Sequence, residues 1–263
     1  FNPEEYWSID LKLTNDKGRL PFKAKFYGTA DGKKIPVSDE KTALKIVDEL
    51  KAADYSVLKL TKKETRRKSA PPFTTSTMQQ EASRKINFTS RRTMIAAQQL
   101  YEMGYISYMR TDSLRISEVA QKEAREFIAA QYGSEFIPAK PKQYRAKKSA
   151  QDAHEAIRPT SSVNTPEKLK SKLKPDLYKL YRLIWLRFMA SQMSDAVLDM
   201  VSADISAGKY LVKASGSEVK FAGFMTLYVE GKDEAEEKST KLPKLEEGQP
   251  LLLSKIDPQQ HFT

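Results

Sequence analysis

Apolar and polar positions alternate from the start of the chain. Tyr6-Trp7-Ser8-Ile9-Asp10-Leu11-Lys12-Leu13 has the period of two expected of a half-buried strand, and Pro21 to Tyr27 repeats it less cleanly. Between Ser38 and Ala52 the apolar set Ala43, Ile46, Val47 and Leu50 is spaced as on one face of a helix, and Tyr55 to Thr61 returns to an extended pattern. The middle of the chain then reads as helical. Ser76-Thr77-Met78-Gln79 fits a capping box, a second helix runs from Ser90 to Met103 with Gly104 as its stop, and a third follows Ser117, turns Ala120, Ala124, Phe127 and Ile128 inward and ends at Gly133. Thr165-Pro166 is an N-cap with proline at the first helical position, and Lys174 to Met193 carries a stripe of Leu177, Leu180, Tyr181, Ile184, Trp185 and Phe188. After Asp195 the strand pattern resumes through Val197–Ser206, Lys209–Ala214, Val219–Met225 and Pro250–Ile256, with an acidic loop at Asp233–Glu237.

This order predicts an α+β protein: a discontinuous β-rich domain at residues 1–67 and 195–263, with a mainly helical domain at 68–194 inserted in it. A length of 263 residues suits two domains, and no internal repeat is visible. Ten basic residues between Lys59 and Arg92 (Lys59, Lys62, Lys63, Arg66, Arg67, Lys68, Arg84, Lys85, Arg91 and Arg92), interrupted by Pro71-Pro72, read as a basic linker at the domain boundary.

Charge narrows the class of partner. Lys and Arg total 45 against 34 Asp and Glu, a net charge of +11, which favours a polyanion: nucleic acid or an anionic membrane. No apolar run approaches the roughly 18 residues that span a bilayer, so a soluble, cytoplasmic protein is expected. The absence of cysteine excludes disulfide staples and thiolate metal sites. The chain opens at Phe1 without Met and ends at Gln259-Gln260-His261-Phe262-Thr263, and reads as a piece of something longer.

Chemistry concentrates in Gly104-Tyr105-Ile106-Ser107-Tyr108-Met109-Arg110-Thr111-Asp112-Ser113. If Tyr105 to Asp112 is extended, Tyr108, Arg110 and Asp112 share a face with alternate Cα atoms roughly 7 Å apart. A phenol is a weak nucleophile at neutral pH, and a neighbouring cation that favours phenolate and neutralises a phosphate serves both sides of a transesterification. The planar fork of Arg110 can bind two phosphate oxygens at once, and Asp112 can orient Arg110 or handle a proton. By spacing alone, however, a strand tyrosine is more often a core or interface residue.

The stretch Tyr105–Ser113 resembles the active-site signature of type IA DNA topoisomerases, and its Tyr-Met-Arg form is that of the bacterial topoisomerase I branch. Two further blocks support the resemblance in the expected order: Pro72-Phe73-Thr74-Thr75-Ser76-Thr77-Met78-Gln79-Gln80-Glu81-Ala82 upstream and Ala153-His154-Glu155-Ala156-Ile157-Arg158-Pro159-Thr160 downstream. The resemblance covers essentially the whole chain. It implies that Tyr108 becomes linked to a 5′ phosphate of single-stranded DNA, that Arg110 and Asp112 assist, and that His154 contacts the phosphate beside the cleavage site and links to Asp112. Thr111, Ser113 and Arg158 are expected DNA contacts, with a helix-entry role for Ser113 and a local ion pair for Glu155 as the plainer readings. Lys140, Lys142, Arg145, Lys147 and Lys148 add sequence-independent attraction to DNA, and Tyr144 could stack on a base.

The resemblance further implies a Toprim domain whose acidic cluster binds magnesium. No Asp-x-Asp-x-Asp motif occurs here, so no metal site is expected in this chain and the Mg2+ belongs to the whole enzyme. Relaxation of negative supercoils without ATP, a monomeric enzyme, a nucleoid-associated bacterial setting, no membrane partner, and a fragment inactive alone complete the expectation. The alternative is a non-catalytic nucleic-acid-binding module in which Tyr108 is structural. The two differ in whether Tyr108 and Arg110 point into a polar cleft or into a core.

Overall fold

The computed structural model describes residues 4–144, 154–230 and 242–262. The chain forms two compact units, one of Phe1–Thr65, Leu198–Glu218 and Lys238–Thr263, the other of Arg66–Val197 and Val219–Glu237.

The first unit is built on six strands: β1 (Glu5–Asn15), β2 (Phe22–Thr29), β3 (Tyr55–Arg67), β4 (Ala196–Ala207), β5 (Tyr210–Phe221) and β6 (Pro250–Phe262). They close into a barrel in the order β1-β2-β5-β4-β3-β6. Closure removes the exposed sheet edges that would otherwise invite pairing with other chains. The alternation seen in the sequence becomes an inside and an outside: Ile9, Leu11 and Leu13 of β1, Phe22 and Ala24 of β2 and Val212 and Ala214 of β5 are buried together with Ala203, Ile205 and Leu251. Helix α1 (Glu40–Lys51) adds Ala43, Ile46, Val47 and Leu50, the four residues its spacing predicts, and is capped by Asp39 accepting from the Thr42 amide. Register shifts at Lys12/Leu13 against β6 and at Phe26/Gly28 against β5 mark where strands bend. At Gly28 an added Cβ would lie 1.8 Å from the Lys33 carbonyl oxygen, so only glycine fits there.

The second unit contains α2 (Thr75–Ile86), α3 (Ser90–Glu102), α4 (Glu118–Tyr132), the single turn α5 (Pro166–Leu169) and α6 (Pro175–Ser191). Helix α6 is its centre. Leu177, Leu180, Tyr181, Ile184, Trp185 and Phe188 are buried, and α2, α3 and α5 pack around it. Each large side chain so buried is worth roughly 1.5–3 kcal/mol against exposure. Arg187 lies within this core at 3% exposure: Nε donates to the Pro71 carbonyl at 2.5 Å, Nη1 donates to Glu230 at 3.1 Å and to the Tyr228 hydroxyl at 3.2 Å. The Tyr228 hydroxyl in turn donates to buried Glu81, which also pairs with Arg84. Burial holds the Tyr228 phenol far above its ordinary range.

Three sequence expectations change. The basic stretch Lys59–Arg67 is the second half of β3, not a linker, because its side chains stand on a paired strand. The cap of α2 is Thr74, two residues before the expected Ser76, with Thr77 completing a reciprocal capping box. The expected strand Val219–Met225 ends at Phe221 and turns into a 3-10 helix at Gly223–Thr226 that belongs to the second unit. The cause is Gly223, whose φ of +49° and close approach to the Ser194 carbonyl, 2.5 Å from an added Cβ, break the strand while the Phe224 amide donates to that carbonyl. The acidic loop Asp233–Glu237 lies outside the described residues.

Candidate active site

The three motifs meet within the second unit. Phe73 bridges Ile157 and Ile106 bridges Pro159, so the downstream block is tied to both others through backbone. Hydroxyl side chains complete the frame. Thr75, at the first turn of α2, donates its hydroxyl to the Met109 carbonyl at 2.7 Å, accepts from the Thr111 amide at 2.9 Å and donates its own amide to the Thr111 carbonyl at 2.9 Å. Ser107 donates to the Ala156 carbonyl at 2.7 Å and accepts from the Arg158 amide at 2.9 Å, while its amide donates to the Arg158 carbonyl. Thr160 closes the start of the segment, its amide donating to the Tyr105 carbonyl and its hydroxyl to Gly104. Gly104 itself takes φ +77°, which turns the chain out of α3.

Tyr105–Asp112 is therefore not a ladder strand. Beyond the single bridge at Ile106 the backbone bends, and its hydrogen bonds go to hydroxyls and to short crossings. The alternation survives in burial: Ile106, Met109, Thr111 and Ser113 are buried, whereas Tyr108, Arg110 and Asp112 are exposed. Ile106 and Met109, each 1% exposed, anchor the segment in the core and leave the reactive types on the outside. Tyr108 is 44% exposed, and its ring meets Tyr101 of α3 edge-on at 5.2 Å. Tyr101 was not singled out by sequence reasoning, nor were the roles of Thr75, Ser107 and Thr160. The signal for the latter was the hydroxyl content of the motif blocks.

Other expected site residues part from their forecast. His154 and Asp112 are both exposed and form no hydrogen bond or ion pair with each other, because two solvated side chains gain little by pairing. Thr111 and Ser113, expected to touch DNA, are 8% and 2% exposed. Their hydroxyls accept from the Ser113 and Arg115 amides and shape the chain locally. Arg158 is also internal: it donates from Nε and Nη2 to Glu155 at 2.9 and 2.7 Å, and from Nη1 to the Pro159 carbonyl. The other oxygen of Glu155 accepts from the Ser117 amide at 3.0 Å, which ties this ion pair to the entry of α4. The plainer reading of Glu155 fits its ion pair, whereas helix entry falls to Ser117 and not to Ser113, whose hydroxyl accepts from the Arg115 amide ahead of α4.

The flanking basic residues divide. Lys142 is largely buried and donates to Asp195 at 2.7 Å and to Ser69 at 2.8 Å. Tyr144 bonds Ser69 and the Ser191 carbonyl instead of offering a free face, and burial pushes its phenol up to about 12. Arg92 forms a bidentate pair with Asp176, and Lys85 lies over the Tyr228 ring. Arg145, Lys147 and Lys148 lie outside the described residues.

Among the described residues no group of three or more His, Asp or Glu side chains is placed to hold a metal ion, and no helix is long and apolar enough to cross a membrane. What the frame can do is hold one exposed phenol beside an exposed guanidinium, an exposed carboxylate and, on the next block, an exposed imidazole.

A family model described as DNA topoisomerase matches residues 1–263. The fold is similar to that of full-length topoisomerase I from Thermotoga maritima, with 31% sequence identity and a TM-score of 0.76 over 99% of this chain. The chain spans 41% of the length of that protein. With three ordered motifs joined in one frame and a family match along its whole length, the chain belongs to the bacterial, type IA family of DNA topoisomerases.

Proposed function

We propose that this chain supplies the nucleophile of a type IA DNA topoisomerase, with Tyr108 attacking a phosphodiester of single-stranded DNA. In the step, the Tyr108 phenol gives up its proton and its oxygen bonds to phosphorus, the bond from phosphorus to the 3′ oxygen breaks, and that leaving oxygen takes up a proton to become the 3′ hydroxyl. The 5′ end stays on the protein as a phosphotyrosine. Attack by the same 3′ hydroxyl reverses the exchange and releases the phenol. One phosphoester replaces another, so the free energy of the broken bond is kept and no ATP is consumed.

The observation that carries this reading is the exposure of Tyr108 on a segment whose other side is locked into the core. A structural tyrosine, as the binding-module alternative requires, would be buried or would bond its hydroxyl; among the described residues that hydroxyl has no partner. Arg110 is assigned to the non-bridging phosphate oxygens, where its fork neutralises charge that grows in the transition state. Asp112 and His154 are assigned to proton handling and to the neighbouring phosphate. They do not bond each other, so each is assigned its own part in the step. Thr111, Ser113 and Arg158 act on this account as framework, not as DNA contacts.

The rest of the enzyme is assigned the magnesium site and the remaining catalytic groups. We take the whole protein to be a bacterial cytoplasmic monomer that relaxes negative supercoils, and this chain alone to be inactive in relaxation. The test is reassembly: mix the chain with the missing part of the enzyme and magnesium, add 3′-labelled single-stranded DNA and quench with denaturant. Label should become bound to protein, and Tyr108→Phe should abolish it. A full adduct in the Tyr108→Phe variant would overturn the reading.

A further inference from the structure

The outer face of the barrel carries a feature unrelated to the tyrosine frame. Lys12 of β1 is directly opposite Lys23 of β2 on one side and Lys255 of β6 on the other, so three lysines stand in one row across three neighbouring strands. All three are exposed and, among the described residues, none has an ion-pair or hydrogen-bond partner. In the adjoining row Lys25 is opposite Lys213, and that row also holds the acids Asp10 and Asp257. Lys25 lies 4.0 Å from Asp10, and Lys213 lies 3.8 Å from Asp204 and over the Tyr27 ring at 3.9 Å. The second row is thus partly neutralised, while the first is not.

Like charges placed directly opposite on one sheet face destabilise the pairing. A polar residue without charge would serve the barrel better at each of these positions. We propose that the row Lys255-Lys12-Lys23, continued by Lys25 and Lys213, is a contact site for the sugar-phosphate backbone of DNA, separate from the cleavage segment. With strands about 4.8 Å apart, the row from β6 to β2 spans roughly 10 Å, room for two or three successive phosphates. The lysine heads are point charges on flexible stems, and the ring beside them, Tyr27, is already covered by Lys213, which suits sequence-independent backbone contact and not base readout. The choice of DNA as the polyanion rests on the topoisomerase reading; the site itself rests on register and charge.

The test is the salt dependence of binding of this chain to a mixed-sequence oligonucleotide, single-stranded and as a duplex. Lys12→Gln/Lys23→Gln/Lys255→Gln should weaken binding and lower the slope of log K against log salt by about 2 to 3, with the affected form of DNA naming the strand state held there. A control triple, Lys17→Gln/Lys41→Gln/Lys45→Gln, removes the same charge from exposed sites of the same unit outside the row and should change the slope by less than half as much. Equal losses from the two triples, or no change in the first, would overturn the proposal. Because the lysine row repels itself, the first triple should melt no lower than the parent, which separates lost contact from lost folding. Adduct formation at Tyr108 is read separately in the reassembled enzyme, so failure of either idea leaves the other measurable.

Discussion

The two units hold exposed polar side chains in contrasting ways. In the barrel, Lys12, Lys23 and Lys255 stand on a ladder whose register alone sets their spacing. In the helical unit, Tyr108, Arg110 and Asp112 stand on a segment with no ladder, held by the hydroxyls of Thr75 and Ser107 and by buried Ile106 and Met109. A ladder places many equivalent positions at regular intervals, which suits a repetitive ligand such as a phosphate backbone. A hydroxyl-locked bend fixes one side chain at one place, which suits chemistry at a single atom.

The largest effect should come from the helical unit's core. Arg187→Ala leaves Glu230, Tyr228 and the Pro71 carbonyl without their shared donor, and should lower stability by about 3–5 kcal/mol in urea unfolding. A loss under 1 kcal/mol would show that the buried cation is not part of what holds this unit together. Next comes Thr75→Val, which deprives the Met109 carbonyl and Thr111 amide of their partner at about 1–3 kcal/mol. It should also reduce adduct yield in the reassembled enzyme well beyond its effect on folding, whereas Lys17→Gln, at an exposed lysine outside both sites, should leave that yield unchanged. Reversed sensitivities would erase the contrast drawn above.

A smaller effect concerns pH. The Tyr144 phenol is raised by burial from its ordinary value near 10 to about 12. The unfolded chain therefore loses this proton first. Stability linked to Tyr144 is fully present below pH 10 and is lost progressively as pH climbs to about 12. Tyr144→Phe should make alkaline unfolding shallower, and an unchanged profile would argue against a buried, bonded phenol. Smallest of all, the lysine triple in the barrel should change stability by no more than about 1 kcal/mol per relieved pair, upward.

Much of this was legible in the sequence, for identifiable reasons. The apolar spacing in α1 and α6 gave their buried faces because helix burial depends on a local repeat. Ser117 as the cap of α4 and Gly133 as its stop follow from side chains that satisfy or release the helix ends. Barrel closure was not legible, since it depends on which distant strands pair. The end of β5 was missed because the constraint on Gly223 comes from a carbonyl at Ser194. In the candidate site, the motif supplied the side-chain types, and the period of two supplied which of them face outward. The frame was hidden: a threonine at position 75 looks like any helix-entry hydroxyl until residue 111 is folded against it. Nor does sequence reveal that the polar atoms of Thr111, Ser113 and Arg158, expected at the DNA, bond within the protein.

The most direct test of the central claim is to map the covalent adduct. After cleavage of single-stranded DNA by the reassembled enzyme, nuclease trimming and proteolysis, mass spectrometry should find the 5′-phosphoryl nucleotide on the peptide containing Tyr108. A nucleotide carried by any other residue would contradict the assignment of Tyr108 as the nucleophile.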